Sequence, residues 1–216
     1  MTNLHNPAMS LYEPPHFRSD DPALAADLMR KHPFASLIST DDSGFPFVSH
    51  LPLHLEERER RFVLWGHCAK PNPHWRYLQA RPQALVTFMG PHAYLSPSVY
   101  PDRQRVPTWN YLTVHCRVTA TLVEDPLAKD RLLKKLIGDH EPPYAEQWRA
   151  LGEEFAHKML AGIVGFRLDV VEWACKLKIN QHRPESHQAL HAAYAAGGEQ
   201  ERALAGWMER LGLEGK

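Results

Sequence analysis

A glycine, a lysine and a proline-started helix can together cradle a phosphate, and residues 66–75, GHCAKPNPHW, carry that combination. Gly66 ends a β-prone run, His67, Cys68 and Lys70 follow, and the prolines lead into a short helix that includes Asn72 near its start. Backbone N–H groups and a cation converge at such a corner, which suits an anion. No P-loop or GxGxxG pattern is present. On spacing alone, the plainer reading is a solvated loop lysine with prolines shaping a turn. Residues 90–111, GPHAYLSPSVYPDRQRVPTWNY, interleave aromatic rings with amides, hydroxyls and prolines. Aromatic faces with hydrogen-bonding neighbours suit a flat heteroaromatic ligand, while Tyr94, Trp109 and Tyr111 can equally fill a dimer interface.

The 14 histidines invite a metal reading, through His50 and His54 on one strand face or through His67, Cys68 and His74. No HExxH-type spacing accompanies them. A serine hydrolase is weaker still, because there is no GxSxG and Ser49 next to His50 in a strand would point to the opposite face. The basic run CKLKINQHR, 175–183, reads as a nucleic-acid patch, a phosphate site or a solvated edge strand guarded by lysines.

The elements that must position these residues follow from the pattern of apolar positions. Asp21 and Pro22 start a helix with Leu24, Leu28 and Met29 on one face, and Pro33 stops it. FASLIST, then DDSG, then FPFVSHLPLHL reads as a hairpin with a longer second strand. RFVLWGH and QALVTFM flank the short helix, and the run from Asn110 to Val123 alternates apolar and polar residues as a half-buried strand does. Asp125 and Pro126 cap a helix with Leu133, Leu136 and Ile137 inward. A further helical stretch over 145–160 has Gly152 as its weak point. IVGFRLDVVEW is the last strand, and two Ala-rich helices flank Gly197 and Gly198. Six or seven strands joined mostly by tight turns make the fold mainly β with α insertions, a small closed barrel rather than a parallel α/β sheet.

Composition narrows the function. Hydrophobic residues at 44% and charged residues at 23% are ordinary for a globular chain. Lys+Arg and Asp+Glu both number 25, so no global positive field draws in nucleic acid, and any DNA contact must be local. Three widely spaced cysteines give neither a disulfide framework nor a zinc ribbon, which points to a reducing cytoplasm. The N-terminal residues lack a leader pattern, and no window reaches the roughly 18 apolar residues of a membrane span.

Taken in order, PFASLIST, SHLPLHL, GHCAKPNPHW, GPHAYLSPSVYP, VPTWNYLTVH, MLAGIVGF and CKLKINQHR resemble the PaiB family of FMN-binding negative transcriptional regulators, from about Tyr12 to Arg183. The pattern departs at Val99, in the short loop between Pro101 and Val106, and at Asn180 and His182. The resemblance implies a split β-barrel over residues 1–184 with a C-terminal helical extension at 185–216. It also implies a homodimer with FMN near the subunit interface. By position it places Ser49, His50, His67, Lys70 and Asn72 near the FMN phosphate and ribityl chain, and Trp109, Asn110, Lys178 and Gln181 on the ring side. It leaves three functions open. One is a cytoplasmic regulator or sensor, with flavin as ligand, DNA as a possible partner and no catalytic residues. Another is a small FMN-dependent oxidoreductase related to pyridoxamine-phosphate oxidases. The last is a haem-binding barrel using His50, His67 or His92.

Overall fold

The turn at Asp41 shows how directly this sequence sets its backbone. The Asp41 carboxylate accepts hydrogen bonds from the Ser43 and Phe45 amides at 2.8 and 2.9 Å, and Gly44 adopts φ +87°. A tight hairpin results, as a side chain that mimics a backbone turn followed by glycine requires. The computed structural model describes residues 11–58, 61–102 and 104–215. The first ten residues, on which part of the no-leader expectation rests, lie outside the described residues, as does Arg103 in the short loop.

In chain order the elements are β1 (Arg18–Ser19), α1 (Pro22–Lys31), β2 (Phe34–Thr40), β3 (Pro46–Pro52), β4 (His54–Arg58) and β5 (Arg61–Ala69). They continue with α2 (His74–Ala80), β6 (Gln83–Leu95), β7 (Thr108–Val123), α3 (Pro126–His140), α4 (Tyr144–Ala150) and α5 (Glu153–Ala161). The chain ends on β8 (Ile163–Lys178), α6 (His187–Ala195) and α7 (Glu199–Arg210). The eight strands form one sheet in the order β3-β2-β6-β7-β8-β5-β4, with β1 paired to β8. The assigned registers of β1, β2, β4 and β5 with their neighbours are all antiparallel.

The long strands β6, β7 and β8 each contribute to two compact units. One holds Met29–Phe88 and His115–Trp173; the other holds the residues up to Leu28, Met89–Val114 and Ala174 onward. In the first unit, β2 buries Ala35, Leu37 and Ser39 on one face, and Phe88, Leu132, Phe166 and Leu168 complete the core. Asp125 caps α3 by accepting from the Ala128 amide at 2.7 Å. Leu132 and Leu136 are its buried positions, one residue away from the expected Leu133. In the second unit α1 buries Ala25, Ala26 and Leu28, Asp21 accepts from the Ala23 amide at 2.8 Å, and the two helices on either side of Gly197 and Gly198, α6 and α7, pack against each other.

Three expectations are corrected. The strand expected over 45–55 is two strands, because Leu53 turns inward and its amide donates to the Pro33 carbonyl at 3.0 Å. The strand expected at 83–89 runs on to Leu95, with Gly90 against Leu28 and Leu112, where an added Cβ would meet atoms at 3.2 Å. The strand expected to end at Trp173 continues to Lys178, so CKLK is not a solvated edge. Lys176 is only 5% exposed, and β1 pairs with it. The expected weak point at Gly152 separates α4 from α5.

Candidate functional site

Ser49 lies on the inward face of β3 and meets the corner that follows β5. Asn72 Nδ2 donates to Ser49 Oγ at 3.0 Å, and His74 Nδ1 shares a hydrogen bond with the same oxygen at 2.8 Å. Asn72 Oδ1 accepts from the His74 amide at 3.0 Å and starts α2. His74 is 1% exposed, its Nε2 has no partner, and Phe47 sets its ring edge against it at 5.1 Å. Burial pushes the His74 imidazole down to about 4, so it is neutral at physiological pH. From its spacing this histidine reads only as a possible metal ligand; the N-P-H step at a helix start is the signal for its role as the anchor of the corner.

The other expected corner residues go elsewhere. His50 faces away from Ser49, is exposed, and lies 3.1 Å from Ser36 Oγ through Nδ1. His67 is half-buried with Nδ1 unpartnered, and burial lowers its pKa. The Lys70 amide donates to the Gly162 carbonyl at 2.8 Å, and its own carbonyl accepts from Trp75 Nε1 at 3.0 Å. Its side chain is exposed, forms no ion pair among the described residues, and borders a cavity of about 310 Å³ with Trp75, Glu124 and Lys129. The structure thus brings Ser49 and Asn72 together. No hydrogen bond or ion pair joins His50, His67 or Lys70 to them among the described residues.

A second neighbourhood lies in the other unit, where the start of β7 faces the end of β8. Lys178 Nζ donates to Thr108 Oγ1 at 2.7 Å, with no carboxylate partner among the described residues. Burial lowers the Lys178 pKa, and the neighbouring Lys176 adds to the effect. Lys176 itself donates to the Tyr12 carbonyl at 2.8 Å and lies 5.4 and 5.1 Å from the Tyr12 and Tyr111 rings. A cavity of about 270 Å³ opens beside Lys178, and Asn110, Tyr100, Asn180 and the basic side chains of Arg105, His182 and Arg183 contribute to its wall.

Of the four expected ring-side residues, Lys178 and Asn110 reach this cavity. Asn110 is buried and its Nδ2 donates to the Tyr194 hydroxyl at 3.0 Å; burial pushes that phenol up to about 12. Trp109 lies on the exposed strand face against His92 and Tyr94, at ring distances of 5.7 and 6.4 Å. Gln181 closes its own turn, donating to the Leu177 carbonyl and accepting from the Ile179 amide. Tyr100 and Arg105 carry no signal of their own in the sequence, whereas Asn180, His182 and Arg183 lie in CKLKINQHR, where Asn180 and His182 depart from the family pattern. Among the described residues, no three His, Cys, Asp or Glu side chains gather as metal ligands.

The family model described as "Putative FMN-binding domain" matches residues 11–172. Protease synthase and sporulation protein PAI 2 of Bacillus subtilis is 34% identical over 179 residues, covering 82% of this chain and 84% of that protein. Among solved structures, the flavocytochrome Anf3 of Azotobacter vinelandii superposes with a TM-score of 0.58 at 18% identity, covering 74% of this chain and 69% of the other. The FAD and heme binding protein of Mycobacterium smegmatis gives 0.55 at 20% identity, covering 74% and 73%. The fold is the expected split β-barrel with helical insertions and C-terminal helices. With a family model over most of its length and a Bacillus relative along nearly the same stretch, the chain belongs to the PaiB-type FMN-binding family.

Proposed function

We propose that this chain binds FMN and acts as a cytoplasmic, PaiB-type flavin sensor in negative regulation, as a homodimer. Residues 1–184 would form the flavin-binding domain, with 185–216 as its helical extension. The observation that carries the reading is Lys178: a half-buried ammonium held by a neutral hydroxyl, beside Asn110, in a cavity with aromatic walls. Removing an ammonium from water is costly unless something electron-rich completes its shell, and the carbonyl and nitrogen edge of a flavin ring suits that place. The donor set therefore fits the group.

The roles differ from simple contact at several positions. Lys70, exposed and without an ion pair among the described residues, is the cation available for the phosphate. Ser49 and His74 fix Asn72 and thereby the corner that presents Lys70. His67 offers its ring to the ribityl side, whereas His50, turned away from Ser49 and bonded to Ser36, would meet the flavin only from the outer face of β3. Trp109 offers an exposed aromatic face, and Gln181 shapes the turn that carries Lys178. Bound flavin would supply a redox-active chromophore, and the cations and amides of the proposed homodimer would bind and orient it. Among the described residues no helix is long and apolar enough to cross a membrane.

Titration of the protein with FMN and with riboflavin, followed by flavin fluorescence, tests the assignment. Lys70→Ala is expected to weaken FMN about ten- to a hundredfold and to leave riboflavin unchanged, because a charge-assisted contact is lost only where a phosphate exists. Lys178→Met is expected to weaken both ligands. Equal FMN affinity in wild type and Lys70→Ala would return Lys70 to a solvated loop. Bleaching of the bound flavin by NAD(P)H would favour the oxidoreductase over the sensor, and a Soret band would favour haem.

A further inference from the structure

β5 parts from β8 before either strand ends. Their register runs from Ala69 opposite Ile163 to Val63 opposite Asp169, whereas β5 begins at Arg61 and β8 continues to Lys178. β5 stays with β4 as far as its first residue, where Arg61 stands opposite Arg58. The β4–β5 hairpin therefore diverges from β8, and a cleft of about 1040 Å³ opens between them. Val170, Val171 and Trp173 border the cleft, and among the described residues no strand is registered against 170–173 on the β5 side. An unpaired strand edge is a template for another chain. The cleft lies at the opposite end of β5 from Lys70, roughly 25–30 Å away along an extended strand.

Three guanidinium groups enter this cleft with less compensation than they require. Arg58 and Arg61 are direct cross-strand partners, an arrangement that like charges disfavour. Glu56 accepts from Arg58 at 2.6 Å but is shared with Lys135 at 3.1 Å, and Arg61 has no hydrogen bond or ion pair among the described residues. Arg167 donates to Asp169 at 2.5 Å and lies 5.9 Å from the Trp65 ring, while its buried Nε has no partner among the described residues. Asp169, already taken by Arg167, is the single carboxylate among the described lining residues. Each planar guanidinium can hold a carboxylate through two parallel hydrogen bonds. Apolar contact is available beside them, from the Phe62 and Trp173 rings 5.7 Å apart and from Val171, which is 67% exposed.

We infer that this cleft binds an extended acidic segment of a partner protein, adding it as a strand beside β8. The strand edge supplies backbone hydrogen bonds, the arginines take carboxylates, and the rings and valines take the apolar side chains that alternate with them. Three cations are few for a nucleic-acid backbone, whose affinity grows with every phosphate neutralised. A small dicarboxylate would leave the strand edge and the apolar contacts unused. The inference goes beyond the flavin reading, since no residue of the cleft is assigned to flavin.

The probe is a fluorescein-labelled, end-capped octapeptide alternating glutamate and valine, followed by fluorescence anisotropy as the full chain is added. Wild type should bind it, more weakly as salt rises, and should ignore the lysine–valine counterpart. Methylating alternate backbone nitrogens of the peptide should abolish binding, because a strand added to an edge needs its N–H groups. Arg58→Gln and Arg61→Gln, both at exposed positions, should each weaken the peptide about tenfold while leaving near-ultraviolet dichroism unchanged. No binding at near-millimolar protein, or wild-type affinity in both variants, overturns the inference. Equal binding of the methylated peptide overturns the strand pairing, and displacement by glutarate or duplex DNA at the peptide's own concentration overturns the choice of partner. A fall in mass from dimer to monomer when peptide is added would show that a second copy of this chain fills the cleft, which also overturns it.

Discussion

At the residue scale, the buried imidazole of His74 has a consequence for stability that does not depend on any ligand. In the unfolded chain it titrates near 6.5, whereas in the fold it is held at about 4. Between those values the unfolded state binds the proton and the folded state does not. Its contribution is therefore complete above pH 6.5 and is lost as pH falls toward 4, by roughly 3 kcal/mol at most. His67, also lowered by burial, acts in the same direction. Glu56 forms a second and lower stage. Its bonds to Arg58, Lys135 and Trp65 hold it at about 2, so its contribution is present above 4.5 and fades only as pH drops below that. Urea unfolding at pH 7.5, 5.5 and 4.5 should show a marked loss before any carboxylate of ordinary pKa is protonated, and His74→Leu should flatten that first stage. A wild-type midpoint that is level from pH 7.5 to 5.5 would refute the burial argument. Lys70 was legible as a site candidate from its own segment and Ser49 from the family resemblance, but the partner that saturates Ser49 was not. It lies 25 residues away, and only the folded strand-to-helix corner reveals it.

At the element scale, the legible parts were those set by local chemistry. The Asp41–Gly44 turn, the Asp21 and Asp125 caps and the alternation along β7 all read directly from neighbours in sequence. Strand length did not. β6 and β8 run past the points where alternation weakens, because pairing partners from distant segments support residues such as Gly90 and Lys176 that a strand pattern does not favour. The break at Leu53 was hidden for the same reason, since Pro33 supplies its backbone partner. Gly66 tests how tightly that break is packed. A Cβ there would collide with the Leu53 side chain and come within 2.9 Å of the fully buried Phe166 ring. Gly66→Ala should therefore cost about 1–3 kcal/mol by overpacking, and trimming the neighbour in Gly66→Ala/Leu53→Val should recover part of it. A single variant as stable as wild type in chemical denaturation would mean that the β3–β4 junction yields freely.

At the scale of the whole molecule, the order of motifs along the chain was enough to place it in its family. The cavity beside Lys178 was not visible, because its wall is drawn from three separated segments, around residues 16–17, 100–110 and 178–183. Charge was informative in a limited way: equal numbers of acids and bases, 25 each, hide a cavity lined by five basic side chains and no carboxylate. The apolar surface makes the remaining prediction. On β6 and β7, Met89, Tyr94 and Trp109 are 55%, 49% and 51% exposed, and His92 packs beside Trp109. Large side chains grouped in this way usually mark an interface, and a self-complementary patch on each copy gives a two-fold dimer. The proposed homodimer should therefore be seen as a doubled mass by light scattering at micromolar concentration in dilute buffer. Trp109→Glu should shift the mass toward the monomer, because a charge buried in such a patch is unpaired. Gln79→Glu, an exposed change on α2, serves as the charge control and should leave the mass doubled. A wild-type protein of single mass would leave Trp109 as a surface aromatic and remove the interface from the flavin site.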